Sequence, residues 1–153
     1  MGTLLIYERR GELVTPVSTS PENAYLMPDD TPASVCEGST MDIAIIRSLF
    51  SNTIEASKIL QTDRDFRSEL IKKRSKLKGY QIGSKGQLLE WDKEYKESEP
   101  QHRHVSHLFG VYPGCDITDN TPELFKAARK SLNDRGNSLF GHVCTIHQML
   151  MKR

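Results

Sequence analysis

The chain has 153 residues, of which 37% are hydrophobic and 27% charged, and its 21 Lys+Arg against 20 Asp+Glu leave a formal net charge of +1. That length suits one domain with a real core, and so even a balance leaves no electrostatic footprint for nucleic acid or an anionic membrane. Cys36, Cys115 and Cys144 are too few for a disulfide framework and are not spaced as a CxxC metal knuckle, although a single bridge and the compartment stay open.

The N-terminal MGTLLIYERRGELV has too short an apolar run for a signal peptide or a membrane span. Leu4 to Tyr7 and Leu13 to Val17 instead flank the polar, glycine-containing Glu8-Arg9-Arg10-Gly11-Glu12, which predicts a β-hairpin. Ser18-Thr19-Ser20-Pro21-Glu22-Asn23 follows. Pro21 biases Ser20 away from helix, and Glu22 has no basic neighbour in sequence between Arg10 and Arg47. The breakers Pro28, Asp29, Asp30, Pro32 and Gly38 make Ala24 to Gly38 a loop.

Ser39 with Asp42 predicts a helix start, and Ile46, Leu49, Phe50, Thr53, Ala56 and Leu60 predict one face of a helix from about Met41 to about Leu60. Thr62 and Asp63 cap a second helix whose narrower stripe is Phe66, Leu70, Lys73 and Leu77; the tight turn between the two predicts an antiparallel αα-hairpin. Lys72, Lys73, Arg74, Lys76 and Lys78 alternate with Ile71 and Leu77 and read as its solvated face.

Gly79 to Gly86 is rich in turn residues, and the one tryptophan follows in Gln87-Leu88-Leu89-Glu90-Trp91-Asp92. Two readings stay open there. Trp91 is core and the acids are solvated, or the indole face flanked by hydrogen-bonding acids suits a sugar ring. Lys93 to Pro100 reads as a charged linker.

Gln101 to Gly114, QHRHVSHLFGVYPG, is the densest polar stretch, with His102, His104 and His107 inside six residues and an apolar run behind them. Zinc is one reading, because imidazole is a common ligand, but only His104 and His107 would share a helical face and no HExxH or Cys-rich partner accompanies them. Loop packing is a second. The third is a polar ligand pocket in which Arg103 and the imidazoles donate to an oxygen-rich substrate. Beyond it, Thr121-Pro122-Glu123 predicts a helix start with Leu124, Ala128 and Leu132 buried and Gly136 as its end. A last helix is expected from about Gly141 to about Lys152, with Val143, Ile146, His147 and Leu150 on one side. Helices in pairs joined by long loops predict a mainly α fold, a bundle or α/α toroid, rather than a sheet-based one.

Four of these segments together resemble glycoside hydrolase family 95, the inverting α-L-fucosidases: Ser18-Thr19-Ser20-Pro21-Glu22-Asn23; Ser39-Thr40-Met41-Asp42; Gln81-Ile82-Gly83 with Gly86-Gln87-Leu88-Leu89-Glu90-Trp91; and His102-Arg103-His104-Val105-Ser106-His107-Leu108 with Tyr112-Pro113-Gly114. Their order and spacing match the family from about Leu4 to about Gly136. The resemblance implies a partial (α/α)6 toroid of antiparallel helix pairs behind a short N-terminal β-hairpin, with residues 1–153 as a single but incomplete piece of that catalytic barrel. It implies no cofactor, no metal, a fucosylated oligosaccharide or related glycan as partner, and self-association through helix faces left uncovered. Members of the family are often secreted.

Inversion requires a protonated carboxylic acid at the leaving oxygen and a base that activates water from the opposite face. By the resemblance, Glu22 is the general acid, with burial expected to keep its proton on. Asn23, Glu90, Trp91, Arg103, His104 and His107 form the expected substrate-binding set, Arg103 and His104 holding the fucose hydroxyls and Glu90 and Trp91 shaping the cleft wall. The family's base, an asparagine system plus a late aspartate, has no counterpart among these residues, and Gly141-His142-Val143 departs from the Gly-Trp-Ser that relatives show. Two functions follow: an α-L-fucosidase-type hydrolase, weak or inactive as this chain alone, or a catalytically silent carbohydrate-binding or vestigial fragment.

Overall fold

The computed structural model describes residues 7–136 together with Ile146 and Leu150. Two strands open the chain, β1 (Tyr7–Arg9) and β2 (Glu12–Val14), paired antiparallel with Tyr7 opposite Val14. Arg10 and Gly11 between them have φ of 53° and 85°, the positive values that a two-residue hairpin turn needs to follow the strands' twist. The predicted hairpin is therefore present.

The long loop is less loop than expected. β3 (Ser18–Thr19) pairs with β6 (Val35–Cys36), and β4 (Tyr25–Leu26) pairs on one side with β5 (Pro32–Ala33) and on the other with β7 (Lys96–Glu97). The charged segment that reads as a linker thus contributes an edge strand, and Ser98 N–H extends the contact by donating to the Ala24 carbonyl at 3.0 Å. These pairings are only two residues long, too short for alternation to reveal them in sequence.

α1 (Thr40–Leu60) begins at Ser39, whose Oγ accepts from Asp42 N–H at 3.3 Å. Its buried face is Ile43, Ile46, Phe50, Ile54 and Ser57, whereas Leu49, Ala56 and Leu60 of the predicted stripe face outward. Gln61 to Asp63 turn the chain into α2 (Arg64–Lys76), and Asp63 caps it through the backbone without a side-chain bond. The two helices run antiparallel: Arg67 donates to the Ser57 carbonyl at 3.1 Å, and Arg74 Nε donates to Ser51 Oγ at 2.6 Å. Ile46, Phe50, Ile54, Leu70 and Leu77 form the core between them. Lys72, Lys73 and Lys76 lie exposed as expected.

The histidine stretch ends in a 3-10 turn, Ser106–Gly110, and α3 spans Pro122–Asp134. Leu88, Val105, Leu108, Val111, Ile117, Ala127, Ala128 and Leu132 form the second core, which Ile146 and Leu150 complete. Apart from those two residues, both helical and buried, the predicted last helix lies outside the described residues.

The expected mainly α toroid is not what the chain forms. Among the described residues there are three α-helices, of which only α1 and α2 make a hairpin, and three small antiparallel sheets. The segments before α1 and between α2 and α3, which the pattern of paired amphipathic helices left unassigned, are tied into sheets by backbone pairing between residues distant in sequence. They are what carries the site.

Candidate functional site

Ser18 anchors the loop that holds Glu22. From β3 its Oγ donates to Asp42 Oδ2 at 2.5 Å and lies within hydrogen-bond distance of Ser39 Oγ at 2.8 Å, locking the strand to the start of α1. The next residues turn: Asn23 N–H donates to the Ser20 carbonyl at 3.2 Å, and Glu22 takes φ 59°. A non-glycine residue held in the left-handed region is costly unless its surroundings fix it, and such residues concentrate at functional sites. The turn aims the Glu22 carboxylate at the histidine stretch, where Oε2 accepts from an Arg103 guanidinium nitrogen and lies 2.9 Å from His104 Nε2.

Glu22 is 58% exposed, and the hydrogen bond with His104, then the charge of Arg103, hold its carboxyl below the usual carboxylate range. The burial expected of a proton-holding acid is absent in this arrangement, and the two basic groups come from a segment some eighty residues away that sequence neighbours do not reveal. His104 is itself fixed by its backbone N–H donating to His102 Nδ1 at 3.2 Å.

Beneath this exposed trio lies a buried one. Glu90 sits in a segment clamped on both sides: Leu88 N–H donates to Ser131 Oγ of α3 at 2.9 Å, while Thr40 at the start of α1 donates from Oγ1 to the Leu89 carbonyl at 2.6 Å and from N–H to the Glu90 carbonyl at 3.0 Å. Its carboxylate accepts from Ser20 Oγ at 2.5 Å, Asn23 Nδ2 at 3.1 Å and Arg135 at 2.5 Å. His107 Nδ1 stands 3.3 Å away, close enough for charge attraction but out of line for a hydrogen bond, and it has no other partner. Burial alone would raise this carboxyl; His107, then Arg135 and Ser20, outweigh it and bring it down to about 2. Arg135 also reaches Glu97 of β7 and, at 3.1 Å, the Pro100 carbonyl.

The expected site residues therefore fall into two layers. Glu22, Arg103 and His104 meet at the surface; Asn23, Glu90 and His107 meet below it. Trp91, 3% exposed, packs with Tyr25 edge to face at 5.4 Å and lies in an aromatic cluster with Tyr95 rather than presenting an open indole face. The space beside Glu90, His107 and Arg135 is about 40 Å³, room for water and not for a sugar ring. A larger groove of about 170 Å³, lined by Arg9, Arg10, Glu12, Glu37, Lys78 and Asp92, contains none of the expected site residues. No cluster of three metal-ligating side chains occurs among the described residues, and none of their helices is long and apolar enough to cross a membrane.

Sequence reasoning missed Ser20 and Arg135. Ser20 reads only as the residue before a proline and Arg135 only as the end of a helix; an arginine directly before the helix-ending Gly136 was the available signal.

The family model described as glycosyl hydrolase family 95 catalytic domain matches residues 1–153. "Alpha-L-fucosidase 2" of Arabidopsis thaliana is 43% identical over 151 residues, covering 97% of this chain and 18% of that protein. "Probable alpha-fucosidase A" of Aspergillus oryzae is 30% identical over 146 residues, 88% of this chain and 19% of its own length, and its namesake in Aspergillus niger is 30% identical over 138 residues, 87% and 17%. The chain thus spans under a fifth of the length of the curated relatives it matches. With the match running from the first residue to the last, the chain belongs to glycosyl hydrolase family 95 and lies within its catalytic domain.

Proposed function

We propose that this chain is part of an α-L-fucosidase-type hydrolase that removes terminal α-linked fucose from oligosaccharides with inversion. Glu22 is its general acid, and Arg103 and His104 hold the sugar hydroxyls. The observation that carries the reading is the convergence of these three side chains, distant in sequence, on one exposed point. Guanidinium and imidazole offer directed N–H donors that suit hydroxyl oxygens. Asn23, Glu90 and His107 support that point from below, and Trp91 stiffens the wall. The names of the relatives support the same substrate class.

One observation favours the second reading for the chain by itself. An acid catalyst must carry a proton, whereas the hydrogen bond with His104 and the charge of Arg103 shift the Glu22 carboxyl the other way, below the usual carboxylate range. A catalytically silent carbohydrate-binding piece needs only the donors. Incubation with a fucosylated oligosaccharide, followed by NMR of the released sugar, separates the two. β-L-fucose as first product, with turnover falling by about a hundredfold or more in Glu22→Gln, supports the hydrolase; α-L-fucose as first product excludes inversion. Saturable L-fucose binding with no turnover at any pH supports the silent reading.

A further inference from the structure

We infer that Glu90 is a positioning residue of the site: its buried carboxylate sets Glu22 against Arg103 and His104 without touching the sugar. The inference rests on the site proposed above and assigns Glu90 a role other than cleft wall.

Both halves of the exposed trio hang from it. Ser20 and Asn23, which bracket the Glu22 turn, donate to its two carboxylate oxygens at 2.5 and 3.1 Å. On the other side His107, at the end of the stretch that begins with His102, lies 3.3 Å from the same carboxylate. Arg135 closes the set from the end of α3 and carries it to Glu97 of β7, the strand beside Tyr25 and Leu26, which follow the Glu22 turn. Every anchor is nearly inaccessible, so none can swing away and rebond to water: Ser20 is fully buried, and Asn23, His107 and Arg135 are each 2% exposed. Glu22 keeps its left-handed backbone only while Ser20 and Asn23 are pinned. Two exposed loops that would otherwise drift are thereby held at hydrogen-bond distance by one carboxylate.

Electrostatics makes the role separable from simple proximity. The basic groups facing Glu22 are Arg103 and His104; those facing Glu90 are His107 and Arg135. If Glu90 acted on Glu22 only through its negative field, replacing it by a neutral residue would make Glu22 more acidic still. Loss of positioning does the opposite, because Glu22 parts from its basic partners and titrates nearer the ordinary value.

The test is the titration of the Glu22 carboxyl carbon by NMR in the chain and in Glu90→Gln, with Arg103→Gln to mark the shift produced by losing a partner outright. In Glu90→Gln an amide NH2 stands where a donor expects oxygen, and the Glu22 midpoint is expected to rise by about half a pH unit or more. A midpoint that stays or falls in a folded Glu90→Gln overturns the inference. Should that variant fail to fold, Glu90→Gln with Arg135→Met removes both members of the buried ion pair together and is judged by the same rise or its absence. No sugar enters the measurement, so failure of the wild-type chain to bind L-fucose counts against the proposed function and leaves this result to stand or fall separately.

Discussion

Arg135 and Glu90 meet at 2.5 Å with side chains that are each 3% exposed. Both would be costly to bury alone, and each is further satisfied, Arg135 by Glu97 and carbonyls and Glu90 by Ser20 and Asn23. Removing one partner strands the other. Arg135→Met is therefore expected to destabilise the chain by about 3–5 kcal/mol. The exposed pair Lys130 with Asp134, 43% and 46% exposed on α3, is the control; Lys130→Ala is expected to cost less than about 1 kcal/mol. Urea unfolding of the three proteins checks both, and equal costs would mean that the buried pair is not special.

Acid should act through the same carboxylate. Its folded value of about 2 lies below the ordinary 4.5, so the unfolded chain binds its proton first as pH falls. Stability from this group is complete above about pH 5 and is lost progressively between about pH 5 and 2. The depression corresponds to roughly 3 kcal/mol. Glu22, Glu37 and Glu94 are shifted the same way, so the quantity to read is the difference between wild type and Glu90→Gln. Urea midpoints of the two proteins, measured at pH 7 and pH 3, are expected to converge as the pH is lowered; a gap that persists unchanged at pH 3 would show that Glu90 is not the group titrating.

How much of this could be read from sequence follows from the range of the interactions. The α1 start was legible because a serine and an aspartate three residues apart make a local cap. The β1–β2 hairpin was legible because its turn residues sit next to each other. The buried stripe of α1 was only half legible: Ile46 and Phe50 were found, but an apolar residue on a helix does not say which neighbour covers it, and Leu49 and Leu60 are uncovered here. The two-residue strands and the Glu90 network were beyond reach, since Ser20, Glu90 and Arg135 are joined only by the fold. Family motifs named Glu22, Arg103 and His104 as a group, but not their mutual contact, and that contact reverses the environment expected for the acid.

Gly110 reports on the packing beneath the histidine stretch. A Cβ there would come within 2.9 Å of the Tyr80 ring carbon Cζ and closer still to its Oη. Tyr80 has little freedom to retreat, because its hydroxyl bonds Asp116 at 3.1 Å and its ring packs against the core around Leu108. Gly110→Ala is expected to destabilise by about 1–3 kcal/mol through overpacking. Tyr80→Ala in the same background opens the space and should recover part of the Gly110→Ala loss relative to Tyr80→Ala alone, a coupling that a double-mutant cycle in urea measures. Independent, additive losses would show that the two sites do not touch.

The outward face of α1 sets the last expectation. Ile45, Leu49, Ile59 and Leu60 are 37%, 49%, 74% and 71% exposed, and their spacing puts them along one side of a helix whose other side is filled by Ile46, Phe50 and Ile54. Apolar surface on that scale is stabilised by contact with another surface. The chain is therefore expected to self-associate as its concentration rises. Leu49→Glu with Leu60→Glu changes only exposed positions, so the thermal transition of the dilute protein should stay within about 0.5 kcal/mol of wild type, while sedimentation velocity should show the associated species lost. Association that survives the double substitution would place the contact elsewhere, and a wild-type chain that stays monomeric across the accessible concentration range would show that this face does not drive assembly.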